Sequence, residues 1–205
     1  MKTIFFDVDT QKDFMNKDGA LYVPEAEKIK PALKKITEYA RKNAYSIMGS
    51  VDTHFSDDAE LKENGGPFPE HCMKGTRGAK KIRETFPKMP LYVPSNNSIN
   101  VSIESHLNEG GEVFFEKQNY DVFTNPHLEQ NIKDVKLAIV YGVATDYCIK
   151  SAAIGLSKRG ITTYILTDAI KAVSPKTEKI AFEEMEESGV KFIQFKDLEK
   201  IINGD

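Results

Sequence analysis

Short apolar runs alternate with amphipathic segments of helical period along almost the whole chain. Residues 3–9 are apolar and rich in β-forming side chains, and residues 25–42 then carry Ile29, Leu33 and Ile36 at helical spacing. Strands that are buried on both faces form apolar runs of this kind, and helical crossovers between them make neighbouring strands parallel. The alternation therefore predicts an α/β fold, a three-layer doubly wound sandwich with a mostly parallel central sheet of about six strands.

The predicted elements follow one another without a repeat, a low-complexity tract or a dividing linker, so we predict a single domain over residues 1–205. Strands are predicted at residues 3–9, 45–51, 113–115, 137–141, 161–166 and 190–195, with a further short strand at 91–93. Helices are predicted at residues 25–42, 146–158 and 178–187 and after the last strand. Pro31 is placed in the first turn of its helix, and residues 52–77 are predicted as a long loop.

The charge of the chain argues against a nucleic-acid partner. Its 205 residues include 28 Lys and Arg against 31 Asp and Glu, a net charge of −3, and no basic cluster that could displace counterions from phosphates. The longest apolar run, residues 137–144, is far shorter than the roughly 18–20 residues that cross a bilayer. Residues 4–6 are followed at once by Asp7, which is unlike a signal peptide. We therefore expect a soluble cytoplasmic protein with a small-molecule partner and no contact with membranes.

Chemically capable side chains stand at the carboxyl ends of four predicted strands. Asp9 ends the first strand, Asp52 the second and Lys117 the third, and Cys148 follows the fourth. The carboxyl ends of parallel strands meet at the edge of the sheet where such folds bind ligands, so we expect these four side chains to gather there. Charges also occur at strand ends by chance, but the combination of two carboxylates, an amine and a thiol favours a site.

Cys148 is a candidate nucleophile. If its helix begins near Asp146, the thiol lies in the first turn, where unpaired N–H groups and the helix dipole stabilise a thiolate and could hold an oxyanion. Lys117 would lower the pKa of the thiol further, and Asp9 could accept the thiol proton and return it to a leaving amine. The alternatives are a small buried core cysteine, a solvated lysine and an aspartate that caps a helix or forms a turn.

Asp52, His54 and His71 are candidate metal ligands. Asp52 and His54 are two residues apart, so in an extended segment their side chains point the same way. His71 follows in a Pro-flanked turn of the same loop, and carboxylate and imidazole ligands suit zinc, iron or manganese. Three protein ligands with open positions are typical of a catalytic metal site. The alternative is that all three are ordinary surface residues.

Aromatic residues near the expected site could enclose a ring-shaped substrate. Phe14 and Phe68 are the candidates for the walls of such a pocket, and the alternative for both is an ordinary place in the core. The remaining rare residues carry less weight. We interpret Cys72 as a partly buried bystander, and His106 and His127 as surface residues.

The chain resembles the isochorismatase-like cysteine hydrolases. The matching segments are residues 9–14 (DTQKDF), 52–54 (DTH), 68–71 (FPEH), 75–76 (GT), Lys117 and 142–148 (GVATDYC). They occur in the family's order over about the first three quarters of the chain, and the remaining predicted strands complete the family's fold. Each fragment is short, and the specificity lies in their combination.

The resemblance implies roles for the candidate residues. It implies a catalytic triad of Asp9, Lys117 and Cys148. It implies a divalent metal, zinc first and iron or manganese as alternatives, held by Asp52, His54 and His71. It also implies a cis peptide bond near Val143–Ala144, with the backbone N–H groups of Ala144 and Cys148 as oxyanion donors.

The resemblance also implies an activity. Within the family, the chain is most similar to members that hydrolyse nicotinamide to nicotinate and ammonia through a cysteine thioester, with the metal binding the pyridine nitrogen, and that tend to form homo-oligomers. The alternative substrate is another small amide, carbamoyl or ureido compound, although metal-free relatives often lack the Asp-x-His pair that is present here. A third hypothesis is a non-catalytic metal-binding or interaction protein on the same fold, because fold alone does not determine function.

Three positions depart from the pattern of several such relatives. Phe68 stands where some have Trp, and a third loop histidine that some use as a metal ligand would be replaced here by Glu60, by Glu63 or by water. Residues 120–124 also differ from the corresponding segment of several relatives. These differences concern the fit of the substrate and leave the chemistry of the triad unchanged.

Overall fold

The central sheet is confirmed, and in this computed structural model, which describes residues 2–96 and 99–204, it has seven strands. The strands are β1 Lys2–Val8, β2 Ser46–Asp52, β3 Pro90–Val93, β4 Glu112–Lys117, β5 Val135–Val143, β6 Thr162–Lys171 and β7 Lys191–Ile193. They lie in the order β3-β4-β2-β1-β5-β6-β7, and every neighbouring pair is parallel. The short strand expected at residues 91–93 forms one edge of the sheet.

Helices connect the strands. The α-helices are α1 Lys12–Met15, α2 Lys30–Lys42, α3 Ile103–Asn108, α4 Leu128–Asn131, α5 Lys150–Lys158, α6 Pro175–Glu187 and α7 Leu198–Asn203. Pro31 lies in the first turn of α2, as predicted, because its missing N–H costs no hydrogen bond there. α6 begins earlier than predicted, since the Ser174 hydroxyl caps it by accepting a hydrogen bond from the Thr177 N–H (3.3 Å). Within the described ranges, no helix combines the length and the apolar character needed to span a bilayer.

Each face of the sheet is covered by its own apolar cluster, so the three layers are confirmed. In β1, Phe5 packs into one cluster, whereas Ile4 and Phe6 pack into the other. Residues of α1, α2 and α7 belong to the cluster of Phe5, and residues of α3, α4, α5 and α6 belong to the opposite one. Burial on both faces explains why the strands are almost continuous apolar runs.

The register of the inner strands brings four carboxyl ends to one edge. Asp52 pairs with Lys117 at the last positions of β2 and β4, and Val8 at the end of β1 pairs with both Ser50 and Gly142. β1 has β2 on one side and β5 on the other, so the strand order reverses direction there. Open α/β sheets bind ligands at such a position, outside the carboxyl ends of the strands.

Gly142 allows β5 to approach β1 closely just before this edge. Its φ is +124°, and a Cβ atom at this position would lie 2.0 Å from the carbonyl oxygen of Val8. The pairing of β5 with β6 also shifts register between Val140 and Gly142. A side chain at position 142 is therefore opposed both by the backbone conformation and by the neighbouring strand.

We predict that Gly142→Ala lowers the free energy of unfolding by about 2–5 kcal/mol. A left-handed backbone costs an L-residue roughly 1–2 kcal/mol, and forcing a methyl group against β1 adds roughly 1–3 kcal/mol. Gly160→Ala is the matched control, because its φ is +77° but no atom lies within 4 Å of the added Cβ. Urea unfolding measures both variants, and equal losses of stability would contradict the steric argument.

Candidate active site

Lys117 is the centre of the site. Its Nζ lies 2.9 Å from Oδ2 of Asp9 and 3.5 Å from Sγ of Cys148, and it also forms an ion pair with Oδ1 of Asp52. Lys117 and Asp9 have no exposed surface, and Asp52 and Cys148 are buried too. The structure thus brings together the four side chains that the strand ends predict at this edge.

The carboxylate of Asp9 is held by β2 as well as by Lys117. The hydroxyl of Ser50 donates to Oδ1 of Asp9 at 2.8 Å, and the N–H of Asp9 donates to the carbonyl of Ser50 at 3.2 Å. The φ of Asp9 is +47°, so the chain turns sharply at the end of β1. The role of Ser50 is not evident from the sequence, because a small polar residue inside a buried strand gives no sign of its hydrogen-bond partner.

Burial and charge together determine the protonation of the cluster. Burial raises the pKa of Asp9 above its ordinary value, and the Lys117 ammonium opposes that effect. Burial also raises the pKa of the Cys148 thiol well above its ordinary value, although Lys117 acts to lower it. Burial alone would lower the pKa of Lys117, but the carboxylates of Asp52 and Asp9 raise it well above its usual value.

The expectation of a lowered thiol pKa is therefore wrong in its net direction. Lys117 attracts a thiolate at Cys148, but its ammonium is shared with Asp9 and Asp52, and desolvation outweighs what remains of the attraction. The resting thiol is protonated, so a nucleophilic attack by Cys148 requires a base beside it.

Cys148 lies in a single π-helical turn, Thr145–Ile149, and α5 begins only after it. The N–H of Ile149 donates to the carbonyl of Ala144 at 3.1 Å, five residues back. The Val143–Ala144 peptide bond is cis, as the family resemblance implies. Ala144 and Cys148 both line a cavity that borders the site. The role of their N–H groups as oxyanion donors stays a prediction.

Asp52, His54 and His71 converge at the metal-ligand cluster that the sequence predicts. One ligand atom from each lies within 4.8 Å of the others, and Oδ2 of Asp52 is 3.7 Å from Nε2 of His71 and 4.0 Å from Nε2 of His54. The Nδ1 atoms point elsewhere. Nδ1 of His71 donates to the carbonyl of Pro69 at 2.8 Å, and Nδ1 of His54 lies 2.9 Å from Oδ2 of Asp58.

This set of donors fits a divalent metal ion. Among the described residues, none forms a hydrogen bond with the buried Nε2 of His54, which is unfavourable unless a ligand uses its lone pair. An oxygen atom on Nδ1 orients each imidazole in the way that metal-binding histidines are usually oriented. Burial would raise the pKa of Asp52, but Lys117 and His71 lower it below its ordinary value, so its carboxylate is ionised. Zinc, iron and manganese all accept such ligands.

The structure separates the two acidic candidates for a further metal ligand. Oε2 of Glu60 lies 3.4 Å from Nε2 of His54, and Glu60 borders the cavity. Burial, with a contribution from Asp52, raises the pKa of Glu60 to about 7. Glu63 is exposed in the short helical turn Lys62–Asn64. Glu60 is therefore the residue whose position suits that role.

A cavity of about 110 Å³ lies against Cys148, Asp52 and His71. Phe14 and Phe68 line it, and the ring of Phe68 meets the rings of His71 and Tyr147 edge-on at centroid distances of 6.0 and 6.1 Å. The other apolar and aromatic lining residues, which were not predicted to form the pocket, are Leu21, Tyr22, Val23, Tyr120, Val143, Tyr147 and Val173. Most of them lie in irregular segments whose path has no periodic signal. Tyr147 could have been noticed as the neighbour of Cys148, and Tyr120 lies in the segment 120–124, whose difference from relatives already concerned the fit of the substrate.

Comparisons with known proteins identify the family. Residues 3–197 match the family model of the isochorismatase domain, so the chain belongs to the isochorismatase family. It is 24% identical over 215 residues to the nicotinamidase of Escherichia coli (strain K12), an alignment that covers 94% of this chain and 95% of that protein.

Solved structures agree with this assignment. The pyrazinamidase of Pyrococcus horikoshii in complex with zinc superposes with a TM-score of 0.77 at 29% identity, covering 95% of this chain and all (100%) of that one. The N-carbamoylsarcosine amidase of Thermoplasma acidophilum shares the fold with a TM-score of 0.71 at 24% identity, covering 95% and 96% of the two chains.

We predict that, in the metal-free protein, Lys117→Met lowers the free energy of unfolding by about 3–5 kcal/mol, because it leaves Asp9 and Asp52 buried without a cation. Lys150→Met is the matched control, since Lys150 pairs with Glu184 (2.8 Å) at the surface, where a pair contributes roughly 0–1 kcal/mol. Urea unfolding at neutral pH measures both. If Lys117→Met lowered the free energy of unfolding as little as Lys150→Met, the buried charges would not depend on one another.

Proposed function

We propose that nicotinamide is the substrate of this protein, which is an amide hydrolase of the isochorismatase family, and that Cys148 forms a thioester during its hydrolysis to nicotinate and ammonia. The observation that carries the proposal is the position of the Lys117 ammonium, within reach of Asp9 and Cys148, beside a small aromatic cavity that also meets Asp52 and His71. The similarity to the nicotinamidase of Escherichia coli supports the choice of substrate.

The first half of the reaction forms the thioester. Asp9 takes the proton of the Cys148 thiol, and the sulfur attacks the carboxamide carbon. The backbone N–H groups of Ala144 and Cys148 donate hydrogen bonds to the oxyanion that develops on the carboxamide oxygen. Asp9 then returns the proton to the nitrogen, the carbon–nitrogen bond breaks and ammonia leaves. Lys117 stabilises the thiolate and keeps the carboxylate of Asp9 directed at it.

The second half releases the acid. A water molecule enters the position that ammonia has left, and Asp9 accepts one of its protons as the oxygen attacks the thioester carbon. The carbon–sulfur bond breaks, the sulfur regains a proton from Asp9, and nicotinate is released. The same carboxyl group is therefore base and acid in turn, and its raised pKa suits both roles.

The remaining residues of the site orient the substrate. Asp52, His54 and His71, with Glu60 beside them, would hold a divalent metal ion, zinc or alternatively iron or manganese. When bound, such a metal supplies a Lewis-acidic partner for the pyridine nitrogen of the substrate. Phe14 and Phe68 pack against the planar ring, so the carboxamide is presented to Cys148 in one orientation, which is a large part of the catalytic advantage of a bound substrate.

Another small amide, carbamoyl or ureido compound is the alternative substrate, and its support is the shared fold with the N-carbamoylsarcosine amidase. The cavity favours the aromatic substrate. Aromatic side chains make up much of its wall, and its polar lining residues include Cys148, Asp52 and His71. We also propose, from the sequence pattern, that residues 1–205 form one domain and that the protein is cytoplasmic, and, from the family resemblance, that it assembles as a homo-oligomer.

We predict that Cys148→Ala lowers the rate of ammonia release from nicotinamide at least about a thousandfold, since it removes the nucleophile. The matched control is Cys72→Ala, which removes the other buried thiol and retains most of the activity. The assay is ammonia release by the zinc-loaded protein. No ammonia from the wild type would refute nicotinamide as substrate, and activity that survives Cys148→Ala would refute the thioester.

We predict that the zinc-loaded protein hydrolyses nicotinamide at least about a hundredfold more efficiently than benzamide. Benzamide lacks the ring nitrogen, so the metal that would bind this nitrogen has no partner on the substrate. A chelator should abolish this preference, and added zinc should restore it. The measurement is kcat/KM for each amide before and after metal removal. Equal efficiencies for the two amides in the loaded protein would show that the ring nitrogen is not recognised.

A further inference from the structure

We propose that Gln11 and Asp13 are positioning residues that hold the main chain at two metal ligands, Asp52 and His71. The inference rests on the metal site of the proposed function and extends it to two side chains that no step of the reaction uses. Both belong to the segment that begins with Asp9, so one short stretch of chain would carry the catalytic base and brace the metal-ligand cluster.

Gln11 acts on Asp52 as a neighbouring strand would. Its Oε1 accepts the N–H of Asp52 at 2.7 Å, and its Nε2 donates to the carbonyl of Asp52 at 2.7 Å. The same Nε2 donates to the carbonyl of Ala79 at 2.8 Å. The side chain is completely buried, and both backbone groups of a metal ligand are held by one amide. Any shift of Gln11 would move the main chain of Asp52 with it.

Asp13 holds the main chain next to His71, another ligand of the metal-ligand cluster. Its Oδ2 accepts the N–H of Cys72, the residue after His71, at 2.7 Å, and Cys72 has a φ of +45°. The carbonyl of Cys72 in turn accepts the N–H of His54 at 3.1 Å. The half-buried carboxylate lies close against Gly78, where an added Cβ atom would come within 2.1 Å of its Oδ2. Asp13 thus fixes the main chain of Cys72, which is bonded to His71 and hydrogen-bonded to His54.

A metal site needs such bracing because its ligands must converge before the ion arrives. The loop that carries His54 and His71, residues 53–77, lies outside the named strands of the sheet, and β4 holds only its start, where the Thr53 N–H donates to the carbonyl of Lys117 at 3.0 Å. Groups that orient the ligands from outside the site typically change metal affinity by about 10–100-fold when they are removed. Asp13 ties this loop to the segment that follows β1, and Gln11 ties the same segment to Asp52, the residue just before the loop.

The sharpest test is the zinc affinity of Gln11→Glu, measured by competition with a chromophoric chelator. The variant keeps the shape of the side chain but sets a carboxyl group against the carbonyls of Asp52 and Ala79. If only charge mattered, an added carboxylate near the site would tighten zinc binding. A positioning role predicts the opposite sign, a loss of about tenfold or more.

Asn125→Asp is the matched control. Asn125 is also buried, and its Nδ2 donates to the carbonyls of Val93 and Glu116, both at 2.9 Å, while its Oδ1 accepts the N–H of His127. The chemical change is the same, but no metal ligand is held by this amide. It should lower the urea midpoint as Gln11→Glu does and leave zinc affinity close to that of the wild type.

Asp13→Glu provides a second variant in case Gln11→Glu does not fold. It keeps the charge but moves the carboxylate by one methylene, away from the position in which Oδ2 accepts the N–H of Cys72 beside Gly78, so it should weaken zinc binding by a similar factor. Unchanged or tighter zinc binding in the folded variants, or an equal loss in Asn125→Asp, would overturn the positioning role. A wild type that binds no zinc would instead overturn the metal site of the proposed function, and this inference with it.

Discussion

One buried ammonium group is the interaction on which the rest of this structure depends. Lys117 has no exposed surface and is paired with the buried carboxylates of Asp9 and Asp52. A buried charge is unfavourable unless opposite charges lie next to it. Removing one member of such a group therefore leaves the others buried without compensation. The ends of β1, β2 and β4 must therefore lie side by side, and their parallel order in the sheet provides this.

The same ammonium joins two parts of the site that would otherwise be independent. On one side it reaches Asp9 and Cys148, the groups of the proposed acyl transfer, and on the other it reaches Asp52, which belongs to the metal-ligand cluster. Because two carboxylates share it, Lys117 compensates a thiolate only in part, and burial keeps the pKa of Cys148 raised. In the proposed mechanism, the thiolate then forms only when Asp9 takes the proton.

Local patterns predicted the parts of the molecule that depend on local physics. Strand positions followed from apolar runs, and the place of Pro31 in α2 followed from the chemistry of a helix start. Element ends that depend on a cap or a turn were less predictable, as at Ser174 and at the π-helical turn before α5. In the site, parallel topology predicted the strand-end positions, whereas the choice between Glu60 and Glu63 required the path of an aperiodic loop.

By itself, the sequence determined the α/β class and the edge of the sheet at which reactive side chains collect, because apolar periodicity and strand ends are properties of short segments. Only the tertiary structure decided which charges are partners, since Lys117 meets Asp52 across 65 positions of the chain and Cys148 across 31. It also decided the direction of the thiol's pKa shift. Desolvation depends on all the atoms packed around a group, and these atoms cannot be inferred from the residues next to it in the sequence.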